Sequence, residues 1–224
     1  VTELQDKTIA ILGGTGPQGR GLARRFAQAG LTVVLGSRAA EKAEAAAAEL
    51  TGALGSTGSA VTGAANADAA AAGDLVLVVV PWDGHAELLR ELKPHLDGKV
   101  VVDCVNPLGF DKQGPFALKV EEGSATEQAA AILTDSTVVG AFHNVSAVLL
   151  EDPEVDSIDT DVLVLGDERE ATDLVQALAD AVPGMRGVYA GRRRNAHQVE
   201  ALTANLIAIN RRYKAHAGVR VTDV

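Results

Sequence analysis

The chain has 224 residues, with 20 Lys and Arg against 30 Asp and Glu, giving a formal net charge of −10. Such an acidic surface repels phosphate backbones and anionic lipid, so neither nucleic acid nor an anionic membrane is expected as a partner. With 47% hydrophobic and 22% charged residues the composition is that of a soluble globular protein, and disorder and collagen-like architecture are ruled out.

Aromatic residues make up only 3% of the chain, so the core must be built from Val, Leu, Ile and much Ala, side chains that permit close helix–sheet contact. Cys104 is the single cysteine. An intrachain disulfide and a multi-cysteine metal site are thereby excluded, no metal is expected, and a reducing, cytoplasmic compartment is the natural setting. The apolar run over residues 75–80 falls far short of the roughly 20 residues a membrane helix needs. The opening Val1-Thr2-Glu3-Leu4-Gln5-Asp6-Lys7 lacks the basic-then-apolar pattern of a signal peptide.

In chain order, residues 8–12 form a short apolar run. Residues 19–29 then put Leu22, Ala23, Phe26 and Ala27 on one helical face before Gly30 stops the helix. Strand returns over 31–35, followed by an Ala/Glu/Lys helix over 39–50 and a Gly/Ser/Thr loop over 52–59. A short strand near Val61 leads to an Ala-rich helix capped by Asn66 or Asp68. The Val/Leu run at 75–80 reads as a parallel strand buried on both faces. Helix over 83–92, strand over 99–103, helix over 125–133 and strand over 137–142 continue the alternation. Strands interleaved with helices in this way predict a doubly wound α/β parallel sheet of Rossmann type.

Beyond Phe142 the rhythm changes to an acidic stretch at 151–161, strand at 162–165, helix at 168–181, strand at 186–189 and a last helix at about 195–213. A boundary near 145 is expected, dividing a Rossmann-type unit over 1–145 from a small α+β unit over 146–224.

Gly14-Thr15-Gly16-Pro17-Gln18-Gly19 is a G-x-G-x-x-G placed directly after a strand and before a helix. Glycines allow the tight turn and close approach of a pyrophosphate, and the helix N-terminus offers unpaired N–H groups and a positive dipole end. Roughly twenty residues beyond Gly16, where an NAD-type fold places an acid on the ribose, stands Gly36-Ser37-Arg38, with Lys42 one turn later. A hydroxyl and two cations suit a 2′-phosphate, so NADP is expected rather than NAD.

Val80-Pro81-Trp82 ends a strand at its carboxyl edge, and the only Trp of the chain serves there either as a hydrophobic plug or as a flat wall beside a bound ring. His143 and Asn144 follow another strand end, and His143 is expected to touch the bound ring system. His85, His95, His197 and His216 read mostly as surface residues. Asp103 and Asn106 remain possible contacts. Arg192-Arg193-Arg194 is either a solvated flank or a recruiter of a polyanion. Neither Tyr has a Lys four residues on, and no Ser/His/Asp or Cys/His signature is present, which points to hydride transfer without an acid–base triad.

Taken together, the segment from Ile11 to Gly19, Leu35-Gly36-Ser37-Arg38 with Glu41-Lys42-Ala43, Val80-Pro81-Trp82, and Asn195 with Val199-Glu200-Ala201-Leu202-Thr203 resemble the NADPH-dependent F420 reductases. The resemblance spans nearly the whole chain. It implies direct hydride exchange between NADP(H) and the 5-deazaflavin coenzyme F420, with pyrophosphate held by Thr15, Gly16, Pro17 and Gln18 and the 2′-phosphate held by Ser37, Arg38 and Lys42. It further places Val80, Trp82, His143 and Ala147 near the nicotinamide–deazaflavin contact, and makes the C-terminal helix part of the deazaflavin pocket and of a homodimer interface. Where the family has His-Thr-Ile-Pro-Ala, this chain has His143-Asn144-Val145-Ser146-Ala147. On this reading His143 is a donor that stabilises the charge developing on the deazaflavin, and Arg192 to Arg194 face the anionic tail of that coenzyme. Two rival functions fit the same N-terminal motif: another NADPH-dependent reductase acting on an imine, a keto acid or a metal chelate, and a non-catalytic NADP(H) sensor.

Overall fold

A computed structural model describes residues 4–55 and 58–224 of the chain. Residues 1–3 of the opening segment and Ser56 and Thr57 of the expected 52–59 loop therefore lie outside the described residues.

Strand β1 (Thr8–Leu12) leads through the glycine-rich turn into α1 (Pro17–Gln28), where Pro17 sits in the first helical turn, the one place its missing N–H costs nothing. Next come β2 (Thr32–Ser37), α2 (Ala40–Leu54), β3 (Val61–Ala65), α3 (Asn66–Ala72) and β4 (Leu75–Val78). A 3₁₀ turn at Trp82–Gly84 precedes α4 (His85–Leu96), and β5 (Val100–Asp103) follows. A hairpin of β6 (Leu108–Asp111) and β7 (Gly114–Ala117) leads to α5 (Ala125–Ile132) and β8 (Thr137–Gly140). The chain then forms α6 (Ala147–Glu151), β9 (Thr160–Val164), α7 (Arg169–Asp180), β10 (Met185–Tyr189), a 3₁₀ turn at Arg193–Asn195 and α8 (Ala196–Tyr213).

Six strands pair in the Rossmann order β3-β2-β1-β4-β5-β8, all parallel as the alternation predicts. Alternate residues of β1 feed opposite layers: Ile9 and Ile11 join Leu22, Phe26 and Leu35 on one face, while Ala10 and Leu12 join Val76, Leu89 and Leu92 on the other. All four residues of β4 are fully buried, as a central parallel strand requires. The abundance of small residues has a direct counterpart at Gly63, where a Cβ would stand 2.2 Å from the Ala43 carbonyl carbon, so α2 lies backbone against β3.

The last third packs on the same sheet. Leu150, Val162, Val164 and Val175 belong to the hydrophobic cluster that contains Ile9 and Phe26. β9 and β10 form a separate parallel pair, linked to the main sheet by an antiparallel bridge between Gly140 and Leu165. The buried Arg25 guanidinium of α1 donates to the carbonyls of Leu149, Leu150, Asp152 and Val155, satisfying the chain as it leaves α6.

Several boundaries differ from expectation for local reasons. β4 stops at Val78, although the Val79 N–H still donates to the Leu12 carbonyl, 3.0 Å away. α4 starts only at His85 and runs through Pro94 to Leu96, because the tight Trp82–Gly84 turn comes first. α2 continues through Gly52, since its buried Leu50 and Leu54 hold the last turn down. α6 and the β6–β7 hairpin carry five and four residues per element, too short for periodicity to reveal. Asn66 does not cap α3. It is the first residue of that helix, and its Oδ1 accepts from the Gly13 N–H, 3.2 Å away, inside the glycine-rich turn.

Candidate functional site

The turn after β1 is built by steric necessity. Gly13 holds φ +68, and a Cβ there would lie 2.4 Å from Val80 Cγ1 and 2.6 Å from the Val79 carbonyl oxygen. At Gly19 a Cβ would meet the Gly14 Cα at 2.6 Å, so α1 begins in contact with the turn. Gly14 anchors the turn to β2 through its N–H on the Gly36 carbonyl, 2.9 Å away. Gly16 is different: a Cβ there would meet nothing within 4 Å, and no side chain caps α1. The open face at Gly16 and the uncapped helix N-terminus form a cradle of the kind that takes a pyrophosphate, flanked by Thr15, Pro17 and Gln18.

At the carboxyl end of β2, Ser37 is buried and its hydroxyl accepts from the Ala39 N–H, 3.4 Å away, while Arg38, just before α2, and Lys42, in its first turn, are exposed. Two cations standing free over the β2 edge, beside a hydroxyl and without an acid at the strand end, suit a phosphorylated ribose.

Beyond the carboxyl ends of β4 and β5 lies a cleft of about 390 Å³. Val79, Val80, Pro81 and Trp82 form one wall. Cys104, Val105 and Asn106 line it from the end of β5, Leu108 and Phe110 from the hairpin, Thr203 and Ile207 from α8, and Gln18 from α1. The only ionisable side chains in this lining are Asp83 and Cys104. Burial pushes the Cys104 thiol well above its usual range, and the nearby charge of Asp103 adds to this, so Cys104 stays protonated.

Three polar residues of the lining converge on the turn after β8. Gln18 Nε2 donates to the Phe142 carbonyl at 2.9 Å, while Asn106 Nδ2 and Thr203 Oγ1 each donate to the His143 carbonyl at 2.9 Å. Phe142 itself sits at φ +60, a left-handed conformation that these bonds hold in place. The His143 imidazole is not part of the cleft lining: its side chain is fully buried, neither ring nitrogen has a hydrogen-bond partner among the described residues, and Nε2 is 4.0 Å from Glu200 Oε1. Burial lowers its pKa to about 4, against the opposing charge of Asp103, so the ring is neutral near pH 7.

Beneath the cleft, donor atoms of Asp103, His143 and Glu200 lie within 4.8 Å of one another. The carboxylate oxygens are already engaged. Asp103 accepts from the Val105 N–H and faces His85, and Glu200 accepts from the Ala125 and Thr126 N–H groups and the Thr126 hydroxyl, capping α5 from α8. Asp103 thus ties β5 to α4 through His85, and Glu200 ties α8 to α5, so the two carboxylates are committed hydrogen-bond acceptors and the trio is not an open coordination site.

Several sequence expectations meet the structure differently. Val80 and Trp82 line the cleft, as does Gln18, expected at the pyrophosphate, whereas Ala147 opens α6, outside the lining, and His143 also lies outside it, its carbonyl accepting from the lining residues Asn106 and Thr203. His85 is not a surface residue: it is completely buried, with Nε2 2.6 Å from Asp103 Oδ2 and Nδ1 3.0 Å from Gln128 Oε1. His95, His197 and His216 are exposed. Arg193 is spent on Glu127 at 3.2 Å and Asp167 at 3.4 Å, leaving only Arg192 and Arg194 of the basic cluster exposed. Thr203 and Ile207, one turn apart on α8, reach the cleft only in the folded chain. Among the described residues, no helix is long and apolar enough to cross a membrane.

Comparison with known proteins agrees with this geometry. A family model described as NADP oxidoreductase, coenzyme F420-dependent, matches residues 8–107. The F420-dependent NADP reductase of Methanothermobacter thermautotrophicus is 39% identical over 222 residues, covering 96% of this chain and 95% of that protein. Its counterpart in Methanocaldococcus jannaschii is 38% identical over 221 residues, covering 96% and 98%. A crystal structure from Arthrobacter sp. FB24, provisionally assigned as an F420-dependent NADP reductase, superposes with a TM-score of 0.77 at 28% identity and covers 96% of this chain and 99% of that one. Alike in sequence over nearly its full length and in overall fold, the chain belongs to the family of F420-dependent NADP reductases.

Proposed function

We propose that the protein catalyses reversible hydride transfer between NADP(H) and coenzyme F420. The observation that carries this reading is the cleft itself, which is reached from the start of α1 by Gln18, carries a flat aromatic wall at Trp82, and has no histidine, lysine or tyrosine in its lining. Such a site is suited to a reaction between two ring carbons, in which the protein stacks the rings and excludes water instead of moving protons by side chains. The hydride carries two electrons and one proton between the rings, and solvent supplies the further proton that the reduced deazaflavin takes up.

In this reading Thr15, Gly16, Pro17 and Gln18 receive the pyrophosphate, with Gly14 and Gly19 shaping the turn, and Ser37, Arg38 and Lys42 select the 2′-phosphate. Val80 and Trp82 flank the reacting rings. His143 acts as a positioning residue, its carbonyl orienting Asn106 and Thr203 toward the cleft, and Ala147 supports that turn from α6. Residues 1–145 make up the nucleotide-binding unit and residues 146–224 the part that completes the deazaflavin side. The protein works as a homodimer in a reducing, cytoplasmic compartment: Phe110, Phe116, Leu118, Ile209 and Tyr213 are large apolar side chains left exposed on the hairpin, the strand that packs with α8, and α8 itself.

The test follows the visible absorbance of oxidised F420 on mixing with NADPH, with NADH and riboflavin-type acceptors as controls. Rapid NADPH-selective bleaching is expected. Tight NADPH binding with no bleaching would overturn the assignment.

A further inference from the structure

Trp82, the aromatic ring of the Val79–Trp82 wall, packs against the aliphatic cluster that includes Leu12, Leu88 and Leu89, and it has a second support. It stacks on the His85 imidazole, ring centroids 5.6 Å apart and planes 29° from parallel. The hydrogen bonds of His85 define its protonation. Gln128 spends its Nε2 amide group on Glu122 Oε2, 3.2 Å away, so the atom it turns to His85 Nδ1 is an acceptor, and Nδ1 must carry a proton. The other nitrogen, Nε2, lies 2.6 Å from Asp103 Oδ2, a separation that requires a second proton between imidazole and carboxylate.

We propose that His85, held as an imidazolium between Asp103 and Gln128, is a positioning residue that fixes the Trp82 indole in the cleft wall through a cation–π stack. His85 opens α4, where a cation opposes the helix dipole, so its charge depends on partners outside the helix. Every element packed around the ring supplies one: Asp103 from β5, Gln128 from α5 backed by Glu122, and Glu200 from α8, with the neutral His143 between Asp103 and Glu200. Burial alone would push the His85 pKa down, but the charge of Asp103, the hydrogen bonds to Asp103 and Gln128 and the more distant charge of Glu200 raise it above its ordinary value. The consequence for the cleft is an indole held at one angle before a ligand arrives, so less ordering remains to be done when a planar ring stacks on its other face. That consequence rests on the proposed ring-stacking reaction; the clamp itself does not.

Trp82 is the only tryptophan, so selectively excited indole emission reports the surroundings of this one ring. An imidazolium quenches an adjacent indole more than a neutral imidazole does. Ligand-free protein is therefore expected to brighten in a single step as pH rises, with a midpoint above about 6.5, the ordinary histidine value. Asp103→Asn should move that midpoint below about 6.5, and His85→Gln should abolish the step. His85→Gln should also raise KM for F420 by roughly two- to thirtyfold while leaving the Kd for NADPH unchanged, a split that general loosening of the fold would not give. Should neither variant fold, long-range ¹H–¹⁵N spectra of the wild type decide: both His85 nitrogens protonated at neutral pH supports the clamp. A single proton on that ring, or flat wild-type emission between pH 5 and 9, overturns it. An intact emission step without any F420 turnover would count against the reaction and for the clamp.

Discussion

Arg25 offers the sharpest test of how the two ends of the chain are held together. It is 3% exposed and its guanidinium donates to four carbonyls, those of Leu149, Leu150, Asp152 and Val155, at 2.6–2.9 Å. Arg25→Ala strands these acceptors at the buried end of α6. A buried acceptor left without a donor costs about 1–3 kcal/mol, but four that share one guanidinium are not additive, and some regain water. A total of about 3–5 kcal/mol is expected, comparable to breaking a buried ion pair. At about 2–4 °C per kcal/mol for a chain of this size, the melting temperature should fall by about 6–20 °C. Arg25→Lys, which keeps the charge but reaches fewer carbonyls, should lose about half as much. The assay is a circular-dichroism melt with urea unfolding alongside. A drop below about 2 °C for Arg25→Ala, with an unchanged urea slope, would show that the α6 carbonyls find other partners and would refute the reasoning.

Four further outcomes follow from the same structure. Arg38→Ala should weaken NADPH binding by roughly tenfold to a hundredfold, the range for a lost charge-assisted contact, with NADH affinity unchanged; titration calorimetry with both nucleotides checks this. Gly19→Ala drives a Cβ to 2.6 Å from the Gly14 Cα, so α1 must lift off the turn, and NADPH affinity should fall together with the melting temperature. His143 is held neutral with its pKa lowered to about 4, so the unfolded chain binds more protons between pH 6.5 and 4, and stability should decline by up to about 3 kcal/mol as pH falls through that window. Urea midpoints across the window should be flatter in His143→Gln. Asp161, buried and accepting first from Arg186 and also from Arg220 and the Val221 N–H, has its carboxyl pKa lowered against the cost of burial. Its contribution is present above about pH 4 and is lost as pH falls further toward the depressed folded value, so Asp161→Asn should release the tail around Val219 and Val221 at neutral pH, read as faster amide exchange there.

Much of the nucleotide half was legible before folding because it rests on local rules. A strand of Ile and Leu, a glycine turn and a proline-started helix are specified within a dozen residues, and the Gly36-Ser37-Arg38 corner follows at a fixed distance. The doubly wound parallel sheet was legible for a similar reason, since strands alternating with helices admit few handed topologies, whereas its strand order emerges only in the folded chain. The partners of isolated residues were not. His85 looks like an exposed helix residue until β5 and α5 close over it, and Asn66 reads as a helix cap until its Oδ1 is found on the Gly13 N–H.

The sequence by itself determined the class of fold, the glycine-rich turn after the first strand and the cationic corner after the second, because backbone sterics and short-range spacing govern all three. Only the tertiary structure decided what fills the rest of the cleft. It brought Thr203 of α8 and Asn106 after β5 onto a single carbonyl of residue 143, kept the His143 ring out of the cleft lining, and set Trp82 on a buried imidazole. Those contacts join residues distant along the chain, and burial and charge at each one depend on every element that packs around it.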